Sequence, residues 1–329
     1  MKKFLVLSVV ISLAFSACAK KEASYEIAYG GSICGSPISI ASINSYYANE
    51  GLKVDLVSGA SFETIRSYLA AGKMPVINGD FQFFPSIYEG VDVKLISGLH
   101  EGCIKILVPN DSPIKTIADL RGKQVAVDEI GGTPMAVASV AAGAAGITDP
   151  KNEIIWLPFP GDQEVQAVET GKADAVAAWD PIATMAEETG KYRTLLDIAT
   201  DPLFAGRNCC FLFASGKLLK ENPKVVAGVL RAINKAVAYE GEFPEDAAAL
   251  LVKEKKVATD DEGLVARLLK SFHFEAHHTQ ESNISAKDDA IYFAQKLTEI
   301  GYLPADLDVQ KFVDDMYVDV FALEAAAGK

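Results

Sequence analysis

The feature that most constrains this chain is an alternation. Tyr25–Gly30, Leu52–Val57, Pro75–Asn78 and Val93–Gly98 are apolar runs of strand length, and Pro37–Glu50, Phe62–Ala71 and Phe84–Glu89 between them read as helices. Parallel strands need a crossover between them, and a helix is the usual crossover, so this pattern predicts βαβ units and a largely parallel sheet. Ser61 stands where an N-cap belongs and Gly72 where a helix stops. Ser36 is placed to cap the first helix, with Pro37 in its first turn.

The alternation continues after a loop signal at Pro109, Asn110 and Asp111, which closes a strand over Ile104–Val108. Strands are predicted at Gln124–Val127, Ile154–Leu157 and Ala175–Ala178, with an extended stretch at Thr194–Asp197. Helices are predicted at Ile117–Leu120, Pro134–Ala145, Asp162–Thr170 and Ile182–Glu188. Phe211–Ala214 then opens a helical remainder: Gly216–Glu221, Lys224–Tyr239, Pro244–Lys255, Glu262–Ser271, Lys287–Gly301 and Val309–Ala325. A chain of 329 residues, half of them hydrophobic, exceeds one typical core and suits two lobes. The plan that follows is lobe I from 25–103 plus 211–329 and lobe II from 104–210. The chain crosses near 103–110 and again near 208–216, so the two lobes can close like a hinge around a ligand.

The first residues stand apart. Lys2 and Lys3 precede an apolar run, Phe4–Phe15, too short to span a bilayer, and Ser16-Ala17-Cys18 follows. Residues 1–17 read as a signal peptide. Small residues before a cysteine resemble a lipobox, which makes Cys18 the lipidated N-terminus and 18–24 a tether; plain secretion is the other reading. Without Lys2 and Lys3 the chain keeps 29 basic residues against 44 acidic ones. That balance disfavours nucleic acid and anionic lipid as partners.

Five stretches carry a family resemblance: "ASINSYYANEGLKVDLV" (41–57), "TIRSYLAAGKMPVINGD" (64–80), "SPIKTIADLRGKQVAV" (112–127), "VQAVETGKADAVAAWDP" (165–181) and "SGKLLKENPKVV" (215–226). Together they resemble substrate-binding proteins of ABC importers in the nitrate/sulfonate/taurine class, which also contains binders of thiamine-pyrimidine precursors. The resemblance implies an α/β, two-lobed periplasmic-binding-protein fold (type II-like) with two crossover hinge segments and a helical C-terminal part. It also implies a monomer without cofactor that captures a small polar solute, a sulfonate, carboxylate or related nitrogen or sulfur compound. Such a protein is exported, lipid-anchored at the outer face of the cytoplasmic membrane, and serves a permease and its ATPase.

Ligands of open α/β sheets sit beyond the carboxyl ends of strands, where helix N-termini offer free N–H groups. Four such junctions are readable. Gly31, Ser32, Cys34 and Ser36 follow the first strand; a turn and an N-cap explain Ser36 equally well. Asn78 and Asp80 follow the third, where a cap is the alternative. Gly132 and Thr133 open a helix after Gln124–Val127, and the resemblance implies that this turn faces the cleft. Trp179 and Asp180 follow Ala175–Ala178; Trp179 suits stacking on a ligand or packing between lobes, and Asp180 suits a ligand donor or a helix cap. No lysine or arginine stands in these loops unless Arg207 reaches them. That absence leans away from bare nitrate and toward a ligand with an amine or ring nitrogens.

Cys34 in the first junction, Cys103 at the first crossover and Cys209-Cys210 at the second are expected to converge on the hinge side of the cleft, with Cys34, Cys103 and Cys209 as candidate contacts. A disulfide such as Cys34–Cys103, buried free thiols, and a soft-metal or thiophilic ligand site are all open readings, and no metal is assigned. On regular strands Cys209 and Cys210 point to opposite faces, as do His100 and Cys103. His273 and His277 have helical i, i+4 spacing, compatible with a metal or with a solvated helix end. No nucleophile–base motif stands out, so a binder is expected rather than an enzyme. "NCCFLF" has a faint likeness to the cysteine run of pyrimidine synthases but lacks the fuller cluster.

Overall fold

A computed structural model describes residues 24–272, 274 and 280–328. The leader, Cys18, His273 and His277 lie outside the described residues.

The described residues form ten strands: β1 (Ser24–Tyr29), β2 (Lys53–Ser58), β3 (Val76–Gly79), β4 (Val93–His100), β5 (Ile104–Pro109), β6 (Gln124–Val127), β7 (Ile155–Pro158), β8 (Ala175–Trp179), β9 (Tyr192–Asp197) and β10 (Cys210–Ser215). They form a two-stranded sheet β1-β2, a three-stranded sheet β3-β10-β4 and a five-stranded sheet β7-β6-β8-β5-β9. Within the βαβ runs the pairings are parallel, as the alternation predicts: β1 with β2, and β6 with β7 and β8. The expectation of a largely parallel sheet fails at two strands. β5 runs antiparallel to β8 and β9, and β10 runs antiparallel to β3 and β4. These are the strands that follow the two crossovers. A chain arriving from the other half enters its new sheet from the side where the parallel strands end, so it runs against them.

The five-stranded sheet is covered on both faces. Ala175 and Ala177 of β8 join the main core, whereas Val176 and Ala178 join a second cluster with Leu107, Ala126 and Tyr192. Burial on both faces explains why these strands read as unbroken apolar runs. The three-stranded sheet packs through phenylalanines, with the Phe83 and Phe213 rings 4.8 Å apart.

Most predicted helices fall where expected. Phe62–Ala71 begins at Ser61, whose Oγ accepts from Thr64 N, and ends at Gly72 with φ +74°. Two predictions are corrected. Pro37–Glu50 is covered by a helix at Ser36–Ile43, preceded by a 3-10 turn at Ile33–Gly35, and a short helix at Tyr46–Asn49, broken where Ser45 turns left-handed at φ 59°. Ser36 is therefore already helical and caps nothing; its Oγ is buried without a hydrogen bond. Val309–Ala325 is two helices, Val309–Met316 and Val320–Ala327, each with its own aspartate cap, Asp308 and Asp319.

Candidate functional site

A cavity of about 240 Å³ opens between the β1–β4/β10 half and the β5–β9 half. Its wall is built from the carboxyl ends of parallel strands: Tyr29 to Ser32 after β1, Gly59 and Ala60 after β2, Asn78 and Gly79 in β3, Asp128 and Glu129 after β6, and Trp179 to Ile182 from β8. Phe62, Phe83, Tyr29 and Trp179 give it aromatic surface. The indole Nε1–H of Trp179 donates to Asp128 Oδ2 at 2.8 Å, which fixes the ring. Gly31 adopts φ +79°, a conformation that favours glycine, and its carbonyl accepts from Ala258 N at 2.9 Å.

Acids dominate the polar lining. Asp128, Glu129, Glu164 and Asp180 all border the cavity, and among the described residues no lysine, arginine or histidine does. Burial pushes each of them toward the neutral form. Glu164, with neither carboxyl oxygen hydrogen-bonded, is raised to about 10. Burial raises Asp180 to about 6, opposed by hydrogen bonds from Thr184 N and Oγ1 and by the charge of Lys105. Asp128 and Glu129 are raised by burial too, and the Asp128 charge pushes Glu129 further. Protonated carboxyls donate hydrogen bonds, and ionised ones attract a cation or an N–H group.

Beneath the floor lies a sealed group of thiols. Cys34, Cys103, Cys209, Cys210 and His100 are each 0–2 % exposed. Cys103 Sγ is 3.5 Å from Cys209 Sγ and 3.8 Å from Cys210 Sγ, and all four cysteines are free thiols. Both expectations of opposite faces are overturned here. Cys209 precedes β10, and the register slips between Cys210 and Phe211, so both sulfurs approach Cys103. Between His100 and Cys103, Gly102 sits at φ +55°, which breaks the pleat and turns both side chains inward. A Cβ at Gly102 would lie 2.7 Å from Ala199 Cβ.

Residues 35–247 match the family described as NMT1/THI5 like. The chain belongs to that family. A Bacillus subtilis (strain 168) protein named for aliphatic-sulfonate binding is 26% identical over 356 aligned positions, spanning 100% of this chain and 99% of that protein. The fold is that of the alkanesulfonate-binding protein SsuA from Xanthomonas axonopodis pv. citri, solved bound to MOPS: TM-score 0.70, 19% identity, 91% of this chain and 99% of the other. The periplasmic nitrate-binding protein NrtA from Synechocystis PCC 6803 shares it with TM-score 0.72 and 19% identity, over 94% and 89% of the two chains. The two-lobed periplasmic-binding-protein fold expected from the sequence is the fold of this chain.

Of the residues singled out in the sequence, Gly31, Ser32, Asn78, Thr133, Trp179 and Asp180 line the cavity. Gly132 stands just behind, at the N-cap of helix Thr133–Ala144, where a Cβ would come within 2.9 Å of Asp128 Oδ1. Asp80 is fully buried; its Oδ1 accepts from Gln82 N at 2.6 Å, and burial raises it to about 8. Ser36, Cys34, Cys103 and Cys209 lie off the lining, in the interior. Arg207 binds Asp289 and stacks on Tyr292, away from the cavity. Sequence reasoning missed Asp128, Glu129 and Glu164. The first two directly follow a predicted strand, and the strand-end rule applied to "VAVDEIGG" would have found them. Glu164 stands in the first turn of helix Gln163–Glu169, at the junction after β7, which the sequence reading did not single out.

Proposed function

We propose that this protein is an extracytoplasmic solute-binding component of an ABC importer. It captures a small organic solute bearing a nitrogen donor in the cleft between lobe I (25–103 plus 211–329) and lobe II (104–210), and hands it to a membrane permease driven by an ATPase. The observation that carries the ligand class is the lining: four carboxyl groups, aromatic walls and, among the described residues, no basic side chain. Such a wall is poorly matched to a bare oxyanion. It suits an amine or ring N–H on Asp180 and an apolar or aromatic body on Trp179 and Phe62. Any anionic group of the ligand would take the N-terminus of helix Thr133–Ala144 and a protonated Glu164. Zwitterionic aminosulfonates and aminopyrimidines both fit this description. The likeness to proteins named for sulfonate and nitrate binding supports transport over catalysis. Export follows from the leader at 1–17, with Cys18 as the lipid-bearing residue and the chain acting as a monomer.

The test is a calorimetric panel of aminosulfonates, simple alkanesulfonates, nitrate and aminopyrimidines. Binding by an amine-bearing class is expected, weakened about ten- to a hundredfold by Asp180→Asn, as for loss of one charged hydrogen bond. Binding confined to nitrate or amine-free sulfonates would sink the ligand class. Turnover of a bound compound would sink the transport reading.

A further inference from the structure

The thiol group under the cleft lies off the cavity lining, yet it is organised. Cys34, His100, Cys103 and Cys210 each offer one donor atom, and these four atoms lie within 4.8 Å of one another in the interior. They come from four separate places in the chain: the 3-10 turn before the first helix, the end of β4, the residue before β5 and the start of β10. A tetrahedral ion bound at about 2.3 Å holds its thiolate sulfurs roughly 3.8 Å apart, and Cys103 Sγ and Cys210 Sγ are 3.8 Å apart.

The histidine is prepared in the same sense. His100 Nδ1 faces the Glu101 carbonyl at 3.0 Å. A ring nitrogen opposite a carbonyl carries the proton, which leaves Nε2 bare, and Nε2 is buried without a hydrogen-bond partner. A backbone carbonyl that fixes one imidazole nitrogen while the other binds an ion is the common outer-sphere arrangement of metal-ligating histidines. Phe272, itself buried, stacks on the ring with centroids 5.0 Å apart.

Charge points the same way. Two acids are buried in the same half, Glu240 at 1 % exposed and Asp80 at 0 %. Among the described residues no lysine or arginine is buried. His100 is, among the described residues, the one basic side chain buried with these acids and thiols.

We infer that Cys34, Cys103, Cys210 and His100 form a closed Cys3His site for a resident zinc ion. On binding, the three thiols lose their protons to solvent and the ion takes three thiolate sulfurs and one neutral imidazole nitrogen. Burial makes the ion structural rather than cargo. Its anchorage reaches the cleft, because Asp180 N donates to Cys103 O at 2.9 Å and Asp180 O accepts from Ile33 N at 3.2 Å. A fixed ion would fix the backbone on which Asp180 hangs. Cys209, whose sulfur lies on the Nδ1 side of the ring at 3.8 Å, stays outside the ligand set.

The test is elemental analysis of the full-length chain purified with reductant and without chelator, paired with cobalt reconstitution of protein stripped of metal. One zinc per chain is expected, with thiolate-to-cobalt charge-transfer bands and tetrahedral d–d bands on reconstitution. Cys209→Ser is expected to keep the ion, and Cys103→Ser and His100→Ala to lose most of it. Should those two variants fail to fold, the wild-type cobalt spectrum still decides. A disulfide among these cysteines in the mass spectrum of the native chain would overturn the site. So would zinc well below one per chain with no thiolate bands from cobalt, or an iron–sulfur chromophore in place of zinc.

Discussion

At the scale of single residues, Glu164 is a cleft group whose chemistry departs far from its ordinary state. Burial keeps its carboxyl protonated up to about 10, whereas an unfolded glutamate ionises near pH ~4.3. Between those two values the folded chain holds a proton that the unfolded chain has released. Stability therefore falls as pH rises, by up to about 1.4 kcal/mol per pH unit for this one proton. Glu164→Gln removes the titration while keeping the shape. The variant is expected to gain on the wild type between pH ~6 and ~9 in urea unfolding at fixed pH. Parallel pH profiles would show that Glu164 is ionised in the fold. Nothing in "DQEVQAVE" advertises this, because the cause is burial beside Asp128 and Asp162, and burial belongs to the assembled lobes. Trp179 and Asp180 were legible for the opposite reason: they end an apolar strand, and strand ends in this architecture point at ligands.

At the scale of elements, local signals located helices well where the chain punctuates itself. Ser61, with Thr64 N on its hydroxyl and Gly72 at the far end, brackets Phe62–Ala71. Ser61 is exposed, so Ser61→Ala isolates the cap. It is expected to cost about 1 kcal/mol with an unchanged denaturant slope in urea titrations. A cost near zero would mean the helix start is held by tertiary packing alone. Ser45 was illegible because serine is no helix breaker, and nothing in its residue type marks an exposed position that turns left-handed at φ 59°. The thiol group was half legible. Four cysteines near one hinge were readable from order along the chain, but their directions were not. A left-handed Gly102 and a slipped register after Cys210 turned side chains that regular strands would have sent apart.

At the scale of the whole molecule, the two halves touch away from the cleft as well. Helix Thr133–Ala144 of the second half meets the end of helix Gln280–Glu299, with Ser139 Oγ 3.0 Å from Tyr302 Oη. A Cβ at Gly143 would overlap Ile300 Cγ2. Gly143→Ala is expected to lower stability by roughly 1–3 kcal/mol through overpacking, with partial recovery in a Gly143→Ala/Ile300→Ala chain, both followed by thermal melting. No loss in the single variant would mean the halves yield freely at this contact.

The central strand of the three-stranded sheet has a consequence for the order of events in folding. Among the described strands β3 and β4 do not pair with each other; each is paired with β10, and β4 adds an isolated bridge from Leu95 to Tyr317. Both are synthesised long before the strand that belongs between them, and the whole second half intervenes. Until Cys210–Ser215 arrives, the first lobe has a slot one strand wide, flanked by two unsatisfied edges. The half made last to be inserted is thus free to fold by itself, while the half made first must wait for the chain to return.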